Sequence, residues 1–120
     1  MIARHHKELK AVEKTAIEMG MKLVRGSDFS VVFATEGGWE ISFEVERYHR
    51  SLFDLTITPP DGQGEFSIWL LMKVYSSTNN VDMPIPTLAN QLNFLQNEFN
   101  GWLCNIYNYK SVYQSFNETQ

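Results

Sequence analysis

The octet Trp39 to Glu46 reads WEISFEVE, with Trp39, Ile41, Phe43 and Val45 alternating with Glu40, Ser42, Glu44 and Glu46. Successive side chains of a strand point to opposite faces, so this pattern demands a strand with one apolar and one wet face. Such a strand cannot stand alone. It needs partners on both sides and a second layer over its apolar face.

The flanking sequence supplies the partners. Strands are expected at Met21 to Arg25, Phe29 to Thr35, Trp39 to Arg47 and Leu52 to Thr58, separated by breaks rich in Gly, Ser, Asp and Tyr-His-Arg. Burial selects the register of the second and third. A two-residue loop at Gly37-Gly38 would turn Phe29, Val31 and Phe33 outward. A three-residue loop, Glu36-Gly37-Gly38, sets Ile41 opposite Phe33, Phe43 opposite Val31 and Val45 opposite Phe29. That loop needs a left-handed residue at its end, which Gly38 supplies. By the same parity Phe53, Leu55 and Ile57 face inward, and Asp54, Thr56 and Thr58 outward.

Helices are expected at both ends. Leu9, Val12, Ala16 and Met19 step by three and four, and Gly20 sits where a helix terminates. Leu88, Leu92, Leu95, Phe99, Trp102, Ile106, Tyr109, Tyr113 and Phe116 form a seam four heptads long. A straight helix of that span would be about 44 Å long. A break is therefore expected between Asn100 and Lys110, where Asn and Gly101 weaken the helix. Charges that would set a coiled-coil dimer are nearly absent, which favours a core role for the seam over dimerisation. Between sheet and seam lies FSIWLLMKVY, Phe66 to Tyr75, with one charge in ten residues. It reads either as a fifth strand or as a short buried helix capped by Ser67, and Leu-Leu-Met-Lys favours the helix. The fold class is then α+β: one domain over residues 1–120, with a four-stranded antiparallel meander, an optional fifth strand, and helices from both ends. Trp39, Phe43, Leu55, Leu95 and Trp102 are its expected core.

Composition narrows the function. A chain of 120 residues that is 43% hydrophobic and 20% charged is globular, and its net charge of −4 argues against nucleic acid. No apolar run reaches membrane-spanning length, and MIARHHKELK lacks the apolar region of a signal peptide. The single cysteine, Cys104, points to a reducing, cytoplasmic setting and is expected as a small buried hydrophobe. His5, His6 and His49 have no metal-ligand spacing, and no nucleophile, phosphate-loop or dinucleotide motif occurs. The expectation is a protein that is not an enzyme and uses no cofactor.

The wet sheet face carries the site expectation. Asp28, Glu40, Glu44, Glu46 and Asp54 share it, with Glu46 opposite Asp28 and Glu44 opposite or diagonal to Asp54, while Lys22 offsets part of the charge. Opposed like charges destabilise a sheet, and the face reads either as a solvated one that blocks aggregation or as a surface for a cationic partner. The partner-binding candidates are Glu40, Glu44, Glu46 and Asp54, with His49 and Arg50 at the rim. The partner is a basic protein, met by a monomer or a homodimer.

An N-terminal helix, a sheet containing GGWEISFEVE and FDLTITPP, then FSIWLLMKVY and a long C-terminal helix resemble in layout the small cytosolic immunity proteins of bacterial toxin systems. What the resemblance implies is a protein that neutralises a cognate toxin by covering its active site. The alternative is a dimeric cytosolic adaptor or secretion chaperone that exposes apolar grooves.

Overall fold

The computed structural model describes residues 6–27, 30–45, 53–60 and 64–118. Its elements, in chain order, are α1 (His6–Glu18), β1 (Lys22–Gly26), β2 (Ser30–Ala34), β3 (Glu40–Val45), β4 (Phe53–Thr58), β5 (Phe66–Ser67), α2 (Ile68–Asn79), α3 (Leu88–Glu98), a 3₁₀ segment (Leu103–Tyr109) and α4 (Lys110–Glu118). The class is α+β. Contacts divide the chain into two compact units, Met1–Ser67 and Ile68–Gln120.

In the first unit the five strands run antiparallel in the order β1-β2-β3-β4-β5. The pairs Phe33 with Ile41 and Val31 with Phe43 are the ones that burial demanded. The pair Val45 with Phe29 lies outside the described residues. Thr35 and Trp39 close the hairpin, with Thr35 N donating to Trp39 O at 2.9 Å and Gly38 N to Thr35 O at 3.1 Å. Gly38 adopts φ +95°, the left-handed conformation expected of it. A Cβ there would also meet Pro60 Cβ at 3.2 Å. Val31, Phe33, Ile41, Phe43, Leu55 and Ile57 are buried on one face. Trp39 is half-buried, where a core position was expected. It stands just before β3, beyond the last strand pair, and its backbone closes the turn.

α1 lies against β3, with Val12 and Ala16 buried. It ends in a Schellman motif. Met21 N donates to Ala16 O at 2.9 Å and Gly20 N to Ile17 O at 3.0 Å, with Gly20 at φ +78°. The residue after the glycine, Met21, is buried, as the apolar position that follows such a motif often is.

FSIWLLMKVY spans the boundary between the units and resolves into both of its readings. Phe66–Ser67 form the fifth strand, paired to β4, and α2 begins at Ile68, immediately after Ser67. Ile68, Leu70, Leu71, Met72 and Val74 are buried, and Trp69 and Tyr75 are half-buried. A helix apolar on this many sides must be enclosed, and the chain's own atoms enclose it. α2 packs against α3 and α4.

The seam breaks where helix formers are weakest. α3 ends at Glu98, and Asn105 leaves helical geometry at φ −108°, ψ 27°. Leu92, Leu95, Trp102, Ile106 and Tyr113 are buried and the other seam residues half-buried. Trp102 centres an aromatic cluster, edge-on to Tyr75 at 5.3 Å and Phe94 at 6.0 Å and stacked on Tyr109 at 4.7 Å. Lys73 Nζ lies 5.1 Å from the Phe116 ring centre. Cys104, expected inside, is exposed, and Leu103 is buried in its stead. The turn tightens here from α to 3₁₀, which stacks i over i+3. Leu103 and Ile106 therefore share the inner face, and Cys104 turns outward with Sγ 2.9 Å from Asn100 O.

Candidate functional site

Strand alternation puts Lys22, Ala34, Glu40 and Thr58 in one outer row, and Ser30, Glu44 and Asp54 in another. Between them runs the row Arg25, Val32, Ser42, Thr56 and Ser67. The register answers the question the hairpin loop left open: Glu44 stands directly opposite Asp54, not diagonal to it. Glu44 is exposed and has no ion-pair partner among the described residues. Glu46, His49, Arg50 and Asp28 lie outside the described residues, so the pairing of Glu46 with Asp28 and the rim position of His49 and Arg50 do too.

Glu40 is a different case. Its Oε1 accepts from Arg25 Nη2 at 2.7 Å, so its charge is already met within the sheet. The cause is a bulge between Leu23 and Arg25. In unbroken alternation Val24 would share the face of Lys22. The extra residue instead sets Arg25 opposite Val32, on the outer face. Nothing in the alternation of KLVRG announces that bulge, and Lys22 rather than Arg25 was the expected cation.

The outer face is also drier than its pattern suggested. Thr56, expected in solvent, is 8% exposed, and Thr58 is half-buried. β4 is an interior strand, flanked on the side away from β3 by β5, whose Ser67 faces Thr56 across the ladder. The Thr56 hydroxyl has no hydrogen-bond partner among the described residues. Among the described side chains of the outer face Glu44 is thus the exposed carboxylate with no ion-pair partner, and Asp54 is its partner in backbone register.

The opposite edge of the sheet is open. Every residue of β1 is exposed, including Leu23 at 59% and Val24 at 49%. Among the described residues no group of three or more His, Cys, Asp or Glu is placed to hold a metal ion. No described helix is long and apolar enough to cross a membrane. Comparison with family models, curated proteins and solved structures returns no match to this chain.

Proposed function

We propose that this protein is a non-catalytic binding module that engages a basic protein through the acidic end of β3 and β4, in the manner of a cytoplasmic immunity protein covering its toxin. The observation that carries the reading is the direct opposition of Glu44 and Asp54. A facing pair of like charges costs a sheet stability and serves no packing purpose. A cation brought by a partner turns that cost into attraction and speeds encounter. Glu44 and Asp54 are the central contacts. Glu46 adds charge along β3, and His49 and Arg50 extend the rim. Glu40 contributes less, because Arg25 holds it. The mechanism is steric and electrostatic, with no bond made or broken.

A second reading, a dimeric adaptor or secretion chaperone, is favoured by the open β1 edge with Leu23 and Val24 exposed. An exposed edge strand is a template for another chain.

The test is association kinetics with the protein that co-purifies from the native host, at low and high salt. Glu44→Lys is expected to slow association about tenfold or more at low salt and to leave thermal melting unchanged, as charge steering predicts. Equal association rates for wild type and variant would remove the acidic end from the mechanism. Turnover of a substrate by the purified protein alone would remove the non-catalytic reading.

A further inference from the structure

α3 ends at Glu98 and the 3₁₀ segment begins at Leu103, and the link between them contains Asn100-Gly101. Among the asparagines of the chain only Asn100 is followed by glycine. An asparagine amide lies within reach of the next residue's backbone nitrogen, and attack by that nitrogen closes a succinimide ring. In a folded protein a Cβ on the following residue crowds the approach, and a helix hydrogen bond holds the nitrogen in place.

Both restraints are missing here. Gly101 has no Cβ. The backbone bonds bracket the dipeptide and pass it by: Trp102 N donates to Glu98 O at 2.9 Å and Cys104 N to Phe99 O at 3.0 Å, whereas Gly101 N has no backbone acceptor among the described residues. Asn100 and Gly101 are both exposed, so water reaches the ring.

We propose that Asn100-Gly101 is a site of spontaneous covalent modification, at which Asn100 deamidates and part of the chain re-forms as isoaspartate. Gly101 N gives up its proton to water and bonds to Asn100 Cγ. The Cγ–Nδ2 bond breaks and ammonia leaves. Water then adds to either carbonyl of the succinimide. Opening at Cγ leaves aspartate in the original backbone. Opening at the backbone carbonyl leaves isoaspartate, in which the chain runs through Cβ and Cγ and the old carbonyl carbon becomes a free carboxylate.

The position gives this chemistry a structural consequence. Isoaspartate lengthens the backbone inside both turns that close over it, from Glu98 to Trp102 and from Phe99 to Cys104. A hydrogen-bonded turn has a fixed ring size and loses its bond when an atom is inserted. The Asn100 O that Cys104 Sγ meets at 2.9 Å also leaves the main chain. Trp102 centres the aromatic cluster on Tyr75, Phe94 and Tyr109, and Leu103 beside it is fully buried. The modification therefore loosens the core of the second unit from its kink. It depends on no partner and stands apart from the proposed electrostatic surface.

The test holds the full chain in warm neutral buffer and samples it over time. Peptide mapping by mass reads amide loss at each asparagine, and enzymatic methylation reads isoaspartate. Asn105 and Asn108 are the controls, exposed on the adjoining 3₁₀ segment but followed by Ile106 and Tyr109. Asn100 is expected to convert at least about tenfold faster than either. Gly101→Ala is expected to slow Asn100 to their rate. The added Cβ meets nothing within 4 Å, and thermal melting of the fresh variant checks that it is folded. Aged wild type is expected to lose melting temperature in step with its isoaspartate content. Gly101→Ala aged alongside should not, and fresh Asn100→Asp, which adds the charge without the longer backbone, should melt as fresh wild type does. Conversion at Asn100 within about threefold of the control asparagines overturns the proposal, as does equal conversion in Gly101→Ala. Isoaspartate that accumulates with no change in melting overturns its structural consequence.

Discussion

The hairpin of β2 and β3 and the seam from Leu88 to Phe116 are both written in apolar periodicity, yet only the hairpin runs without interruption. In the hairpin every pair from Ser30 with Glu44 to Ala34 with Glu40 follows the alternation. In the seam every stripe residue from Leu88 to Phe116 stays buried or half-buried, but the helix breaks, and Leu103, outside the stripe, joins the core while Cys104 beside it is exposed. A period of two tolerates no drift, because one slip inverts every side chain. A helical stripe can change winding for a turn and still bury nearly the same set of residues. Periodicity therefore specifies a half-buried strand more tightly than it specifies a long helix.

The comparison can be broken at its strongest point first. Phe43 is fully buried at the centre of the sheet. Phe43→Ala is expected to destabilise by about 3–5 kcal/mol, read by chemical denaturation. A cost under about 1 kcal/mol would mean the buried face is misassigned.

The seam is probed by a neighbouring pair. Leu103→Ala should cost about 2–5 kcal/mol, whereas Cys104→Ser should stay within about 0.5 kcal/mol, as an exposed site does. If the two values are reversed, Leu103 is not the residue that the 3₁₀ segment adds to the core.

The smallest effect sharpens the hairpin side. Gly38→Ala places a side chain at φ +95° and 3.2 Å from Pro60 Cβ. The expected cost is about 1–2 kcal/mol, that of a left-handed non-glycine residue. No change in the denaturation midpoint would show that the three-residue loop does not fix the register.

Much of the fold was legible. Four strands, the parity of the hairpin, the glycine that ends α1 and the place where the seam fails were each readable from local rules. Trp39, Leu55, Leu95 and Trp102 were sought in the core, and all but Trp39 lie there. The candidate site was legible only in part. Register placed Glu44 opposite Asp54, but which loop residues would join them was never a matter of local pattern. The bulge that carries Arg25 to Glu40 had no signature in KLVRG.

The sequence by itself determined which faces must be buried, since apolar side chains at a two- or four-residue spacing leave the chain little choice. The tertiary structure decided which charges are already met, which hydroxyls are dry and which apolar side chains stay outside. Those depend on neighbours brought together from distant parts of the chain. Arg25 reaches Glu40 only across β2, and Thr56 loses solvent only once β5 closes beside β4. Burial is dictated by a residue's own chemistry, whereas pairing and exposure are properties of whatever the fold sets beside it.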